Sequence, residues 1–173
     1  AHTGEFGLDL VGEFSYYAPQ EEKLEGAAAA LVKNGDVKAA LGVDMNGSTR
    51  RAAALSGVDF LKPTYGTVSR YGLIAYASSL DQIGPIAKDA SDCAAIFDII
   101  RGKDERDGTS LEVEYKSTFE NLNADVKGLK IGIPKQCFAD GLDEDVKAAV
   151  LSVAETLKDK GAEFEYFDMP LIE

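Results

Sequence analysis

The sequence contains one histidine and two cysteines among its 173 residues, and these shortages exclude several classes of site. His2 lies near the start of the chain, so we expect no internal Ser-His-Asp triad. Three such residues in all are too few for a structural zinc site, and no other metal or cofactor motif is visible. Cys93 and Cys137 do not predict a disulfide framework, which suits reduced thiols and a cytoplasmic location. A serine nucleophile in this chain would be activated by a lysine or by no base at all.

Long apolar runs and an excess of basic residues are also missing. No apolar run is long enough for a membrane span and no signal-peptide pattern opens the sequence, so we expect no membrane segment. The formal net charge is −12, from 18 basic and 30 acidic residues. Because an acidic surface repels phosphate backbones, we expect no autonomous nucleic-acid binding.

What is present is an ordinary globular composition, with 45% hydrophobic and 28% charged residues. At this length it predicts a single domain over residues 1–173, large enough for a core of its own. The local patterns predict an α/β fold, in which a parallel βαβ unit is flanked by helices.

The secondary structure is predicted from apolar periodicity, caps and turn residues. Predicted helices cover Glu21–Lys33, Ala90–Arg101 with Asp89 as its cap, and a segment from a cap at Asp143 to Lys160. Predicted strands are Gly72–Ala77, Lys130–Pro134 and Glu163–Phe167, the last two forming the βαβ unit with a right-handed crossover, whereas Leu80–Ile86 is predicted as a loop anchored by Pro85. The predicted buried faces are Leu24, Ala27, Ala28, Leu31 and Val32 on the first helix and Val146, Val150, Val153 and Leu157 on the last.

The stretch from Leu41 to Gly72 holds the candidate chemistry. Within it, Asp44–Ser48 predicts a tight loop between a strand, Ala39–Leu41, and a helix, Thr49–Leu55. Asn and Gly adopt positive φ at modest cost, so successive N–H groups can turn toward one point and bind an anion. Ser48 is then a candidate nucleophile at a helix N-terminus. The alternative is that Ser48 is an N-cap residue, which satisfies helix N–H groups and does no chemistry.

Three motifs carry a resemblance to a known family. They are D-x-x-G-S-x-R at Asp44–Arg50, G-V-x-x-L-K-P-T-Y-G at Gly57–Gly66, and V-S-R-Y-G-L-I-A-Y-A-S-S-L-D-Q-I-G-P-I at Val68–Ile86. With them the sequence resembles the amidase signature family, and within it the A subunits of glutamyl-tRNA(Gln) amidotransferase. The resemblance spans nearly the whole chain. It implies the central part of a mixed-sheet fold whose complete members are much longer.

The resemblance also implies roles for individual residues. Enzymes of this family cleave or transfer amide nitrogen with a nucleophilic serine, a relay serine and a lysine. The nucleophile position is Ser48, and the oxyanion hole would be formed by the backbone N–H groups of Met45, Asn46, Gly47 and Ser48 itself. Asn46 stands where the family has glycine, and a left-handed asparagine would fit there.

Two departures from the family pattern concern proton transfer. The relay serine is replaced by Leu24, and the family's catalytic lysine falls before the first residue of this sequence. Lys23, Lys33 and Lys62 are the lysines that could substitute, but Lys62 belongs to the family's K-P-T element, where we expect a structural role. We therefore expect a chain whose catalysis is impaired.

Two classes of function follow. The first is a part of an amidase, or of the A subunit of an amidotransferase, that hydrolyses amides, with a substrate that the sequence does not identify. The second is a non-catalytic scaffold or interaction module. Because a partial fold uncovers apolar surface and strand edges, we expect that surface to be covered in a homodimer or by a partner subunit.

Overall fold

The computed structural model describes residues 21–170, with side chains from Gly26 onward. The chain forms two compact units, Ala1–Leu122 and Asn123–Glu173, and the single domain over 1–173 stays a prediction. The elements of the described residues are, in order, α1 (Glu21–Asn34), β1 (Ala39–Asp44), α2 (Ser48–Ser56), β2 (Asp59–Phe60), β3 (Gln82–Ala87), α3 (Ala90–Ile100), β4 (Lys130–Pro134), α4 (Glu144–Asp159) and β5 (Glu163–Phe167). A single 3₁₀ turn, Lys135–Phe138, follows β4. The predicted α/β class is confirmed.

The first unit is built on a three-stranded antiparallel sheet in the order β1-β3-β2. Helices α1 and α2 pack against each other and against β1, and α3 packs against β3. The core where they meet consists of Ala29, Val32, Ala53, Val58 and Ile86. Asp44, the last residue of β1, pairs with Gln82 of β3, so the end of β1 lies beside the start of the central strand.

Two secondary-structure predictions in this unit are wrong. The segment predicted as a loop around Pro85 is the central strand β3, and Gly72–Ala77 is irregular instead of a strand. A proline is tolerated in β3 because β2 is short: Leu61 N–H donates to Pro85 O at 3.1 Å, but Pro85 has no N–H to return, and the ladder ends at the Phe60–Ile86 pair. The turns around residue 76 are held by Asp81, whose carboxylate accepts the N–H groups of Tyr76 and Ala77.

The helix caps confirm the sequence reasoning. Asp89 accepts a hydrogen bond from Asp92 N–H at 2.9 Å, and Asp143 accepts N–H groups from the first turn of α4. On the buried face of α1, Val32 is buried as predicted, but Ala29 is buried instead of Ala27, which is exposed. Four successive alanines give no hydrophobic contrast, so the pattern could not identify the inner one.

The second unit is the predicted parallel βαβ unit, in which β4 and β5 pair in parallel with α4 between them. The handedness of the crossover stays a prediction. The predicted seam of α4 is wrong for three of its four residues, since Val146, Val150 and Val153 are 50–59% exposed. The half-buried apolar residues of α4 are Leu151, Ala154 and Leu157, of which the first two each lie one position after a predicted residue. The helix is apolar over an arc too wide for a two-stranded sheet to cover.

The segment 103–126 contains no helix or strand. It is attached to α3 through Asp98, which accepts hydrogen bonds from Thr118 N–H at 2.9 Å, Phe119 N–H at 3.0 Å and Ser117 Oγ at 2.7 Å. Burial raises the pKa of Asp98, but these hydrogen bonds outweigh it and hold the pKa below its ordinary value. No helix among the described residues has the length and apolarity needed to cross a membrane.

Candidate active site

Ser48 is the first residue of α2, and the N-cap position that the capping alternative gives to it belongs to the preceding residue. The N-cap is Gly47, which has φ of +104° and offers no side chain to the helix N–H groups. Ser48 is half-buried within the first turn of α2, with its backbone N–H close to the positive end of the helix dipole. A glycine is needed at position 47 because this left-handed conformation disfavours other residues. A hydroxyl therefore lies in the first turn of α2, and its role as a nucleophile stays a prediction.

Asp44 closes the loop that carries Ser48. Its side chain is 0% exposed, and its carboxylate accepts hydrogen bonds from Gly47 N–H at 3.0 Å and Arg50 N–H at 3.1 Å. Ion pairs join the same carboxylate to Arg50 Nη2 at 2.9 Å and to Lys62 Nζ at 3.0 Å. One buried side chain thus fixes backbone on both sides of Ser48.

The charge on Asp44 is stabilised by these contacts. Burial alone would raise the pKa of Asp44, but hydrogen bonds from Arg50, Lys62 and Gly47 outweigh it and lower the pKa well below its ordinary value. The sequence shows Asp44 only as a motif residue. In the sequence, Asp44 is a carboxylate at the end of an apolar strand, and the motifs that follow it contain Arg50 and Lys62. The sequence does not show that both cations pair with this one buried carboxylate.

Lys62 belongs to this cluster and pairs with the buried carboxylate of Asp44. Its Nζ donates to Met45 O at 2.6 Å and forms the ion pair with Asp44. Lys33 is excluded by distance, because its Nζ lies 3.3 Å from the Cβ that would be added at Gly57, the C-cap of α2. Ser48 is at the opposite end of this nine-residue helix, about 13 Å away at 1.5 Å per residue.

The predicted oxyanion donors occupy the turn between β1 and α2. The Gly47 N–H is bonded to Asp44, Met45 is half-buried and Asn46 is exposed. The left-handed asparagine is wrong, since no described residue other than glycine has positive φ, and the turn obtains its left-handed residue from Gly47 instead. The assignment of Met45, Asn46 and Gly47 to an oxyanion hole stays a prediction.

The remaining candidate residues lie outside this cluster or outside the described side chains. Leu24 and Lys23 belong to α1, but their side chains are not among the described ones, and neither is any part of His2. Cys93 is a buried free thiol whose pKa burial raises to about 11, and Cys137 is an exposed free thiol. Within residues 21–170 no group of three or more His, Cys, Asp or Glu side chains is arranged to hold a metal ion.

An apolar groove of about 490 Å³ lies between α2 and α3 in the first unit. Its walls include Ala53, Val58, Phe60, Ala94 and Leu122. Ser48 is not among the lining residues, but Arg50, which pairs with Asp44, is one of them, so the groove borders the cluster around the candidate nucleophile.

Comparison with known proteins extends these observations. The sequence profile of the Amidase family matches residues 26–173. The A subunit of glutamyl-tRNA(Gln) amidotransferase from Lachnospira eligens is 55% identical over 148 residues, which are 86% of this chain and 31% of that protein. Its counterpart from Lachnoclostridium phytofermentans is 44% identical over 178 residues, covering 98% of this chain and 36% of that protein.

Solved structures show the same relationship. The crystal structure of the A subunit of glutamyl-tRNA(Gln) amidotransferase from Thermotoga maritima superposes with a TM-score of 0.77 at 42% identity, covering 83% of this chain and 31% of that one. An amidase family protein of Bacillus anthracis superposes with a TM-score of 0.70 at 33% identity, covering 82% of this chain and 29% of that one. The chain thus spans about a third of the length of these relatives.

Proposed function

Since the chain belongs to the amidase family, we propose that it carries the nucleophile-bearing part of an amide hydrolase or amidotransferase of that family. The observation that carries the proposal is the position of Ser48 in the first turn of α2, in a loop fixed by the buried Asp44. Ser48 Oγ would attack the amide carbon, and backbone N–H groups of the turn would stabilise the negative charge that develops on the carbonyl oxygen. The curated relatives are A subunits of glutamyl-tRNA(Gln) amidotransferase, so the proposed role is part of such an amide transfer. We propose a location in the cytoplasm because two cysteines without a disulfide pattern suit a reducing compartment.

The same residues support a second part of the proposal, that catalysis by the chain on its own is impaired. The hydroxyl proton of Ser48 must leave as the bond to carbon forms, and the leaving nitrogen must gain a proton. Leu24, at the relay position, has no group that can transfer a proton. The structure describes two alternative bases. Lys62 is bound to Asp44 and to the carbonyl of Met45. Lys33 lies near the far end of α2.

A fluorophosphonate probe tests both parts. We expect Ser48 to be modified slowly but selectively, because an oxyanion hole without its base and relay retains about 10³-fold of the acceleration over water. The measurement is the rate of labelling of the Ser48 peptide by mass spectrometry, with the exposed Ser152 of α4 as an internal reference. Ser48→Ala removes the signal and serves as the control.

Two results of this experiment would contradict the proposal. Labelling of Ser48 no faster than that of Ser152 would show that the turn does not activate the hydroxyl. Rapid labelling, complete within seconds and lost in Ser48→Ala, would show that a base is present and that the chain is catalytically competent.

The alternative function, a non-catalytic interaction module, is favoured by one specific observation. Val146, Val150 and Val153 form an exposed apolar stripe along α4, at spacings of four and three residues. Such spacing is typical of helices that pack against another helix. A second copy of the chain or a partner subunit would cover this stripe.

If a second copy covers this stripe, the chain self-associates through α4. We expect a dimer at micromolar concentration by light scattering, and Val150→Lys is expected to shift it to a monomer because a charge cannot be buried there without a partner. Lys147→Met, on the half-buried side of the same helix, is the control and leaves the dimer intact. A strictly monomeric wild-type chain would count against this function.

A further inference from the structure

Lys62 is attached to the sheet on one side and to the turn before Ser48 on the other. Its neighbour Leu61 donates its N–H to Pro85 O in the central strand at 3.1 Å. Pro63 follows, is buried, and restricts Lys62 to extended backbone conformations. From this fixed position the side chain, 22% exposed, reaches Met45 O across 17 residues of sequence.

The bond to Met45 O fixes the direction of a whole peptide group. The described peptide bonds include no cis bond, so the C=O of Met45 and the N–H of Asn46 point in opposite directions from one rigid plane. Since the carbonyl points inward to Lys62 and the buried Asp44, the Asn46 N–H points outward, at an exposed residue. Rotation of this peptide group would break the 2.6 Å bond to a cationic donor.

The N–H of the next residue, Gly47, is less available as an oxyanion donor. The Gly47 N–H is already bonded to Asp44 at 3.0 Å. Asn46 N–H is therefore the donor of this turn whose direction depends on a side chain from outside the turn. We infer that Lys62 is a positioning residue, which holds the Asn46 N–H in the orientation of an oxyanion donor for the reaction at Ser48.

This inference rests on the proposed function and assigns Lys62 a task that differs from that of a base. As a base, Lys62 would need a neutral amine directed at the Ser48 hydroxyl. As a positioning residue it remains a cation and acts through a carbonyl. The two roles differ in what arginine can replace, because arginine keeps the charge and the hydrogen-bond donors but cannot accept a proton near neutral pH.

The test compares Lys62→Met with Lys62→Arg in the full chain. Lys62→Met keeps the length and apolar stem and removes the donor, and we expect it to slow fluorophosphonate labelling of Ser48 by about a hundredfold, the effect of losing one oxyanion donor. Lys62→Arg is expected to restore labelling to within about tenfold of wild type. Lys38→Met, at an exposed lysine of the same unit, leaves the rate unchanged.

A nuclear magnetic resonance measurement separates positioning from general stability. In Lys62→Met the Met45 carbonyl carbon is expected to shift upfield and the Asn46 amide to shift with it, while core residues such as Ile86 keep their resonances. If Lys62→Met does not fold, the wild-type chain decides: formation of the phosphonyl adduct at Ser48 should shift the Asn46 amide downfield, and an unchanged Asn46 amide overturns the inference.

The possible failures are distinguishable. If wild-type Ser48 is labelled no faster than Ser152, the proposed function is wrong, and the inference that rests on it falls too. If wild-type Ser48 is labelled selectively and Lys62→Met labels equally fast, the proposed function stands and Lys62 has no positioning role. Loss of labelling in Lys62→Arg as complete as in Lys62→Met would also overturn the inference.

Discussion

Replacement of Asp44 by asparagine is expected to lower the free energy of unfolding of the first unit by about 3 kcal/mol, the effect of removing one partner from a buried ion pair. The wild-type carboxylate is 0% exposed and receives two cations and two backbone N–H groups. An asparagine supplies one acceptor oxygen and turns an amide NH2 toward Lys62 or Arg50, so at least one donor loses its partner. Urea unfolding followed by hydrogen exchange in peptides from β1 and β3 measures the effect.

The matched control is Asp36→Asn. Asp36 is exposed in the turn after α1, and the same chemical change there should alter the free energy of unfolding by less than about 0.5 kcal/mol. Equal effects at both positions would contradict the role assigned to Asp44. Selective labelling of Ser48 is also expected to disappear in Asp44→Asn, since the turn loses the group that closes it.

The effect of Asp44→Asn depends on pH in a defined direction. The folded pKa of Asp44 lies below the unfolded value of about 3.9, so its charged form stabilises the fold. This contribution is complete above the unfolded pKa and is lost as the pH falls toward the folded pKa. The difference in stability between wild type and Asp44→Asn should therefore be constant near neutrality and shrink below about pH 4. Other carboxylates with lowered pKa values, such as Asp98, affect both proteins and cancel in the difference.

Gly84→Ala is expected to lower the free energy of unfolding by about 3 kcal/mol. This is the upper end of the usual cost of inserting an extra group into a packed site. A Cβ at Gly84 would overlap the carbonyl oxygen of Leu61 and approach its carbonyl carbon to 3.1 Å. Both are backbone atoms, so the clash cannot be relieved by a side-chain rotation. The strand β2 and the bond from Leu61 to Pro85 would have to shift, and hydrogen exchange of the Leu61 amide reports that shift.

Gly108→Ala is the control for this substitution. Gly108 is exposed, its φ is not in the left-handed region, and no atom outside its immediate neighbours lies within 4 Å of an added Cβ. We expect a change below about 0.5 kcal/mol there. A Gly84→Ala protein as stable as Gly108→Ala would mean that the chain after β2 does not approach β3 as closely as the structure has it.

The elements that the sequence predicted well are those with local signals. The caps of α3 and α4, the bounds of β4 and β5 and the turn before α2 depend on residues within a few positions of each other. The errors occur where the decision is made by residues far away in sequence. Pro85 argues against a strand if its neighbours are unknown, and it is acceptable in β3 only because the pairing with β2 ends there.

The apolar faces of the helices also depend partly on neighbouring residues and partly on residues far away in sequence. The spacing of Val146, Val150 and Val153 correctly identifies an apolar stripe, but α4 carries a second one, and only the sheet selects which is covered. In α1 the sequence predicted the helix to within one residue of its end. Of its four successive alanines, only Ala29 is fully buried, and it lies in the core together with Ala53 of α2.

At the candidate site the sequence by itself determined the family and the position of Ser48, because a motif is a local property and Gly47-Ser48 sets the start of α2 through backbone conformation alone. Only the tertiary structure decided that Asp44 is buried, that Arg50 and Lys62 both pair with it, and that Lys62 holds the carbonyl of Met45. The physical reason is that burial and charge pairing depend on which chain segments meet, and the contact between Lys62 and Met45 is formed by the approach of the chain after β2 to the sheet, 17 residues away in sequence.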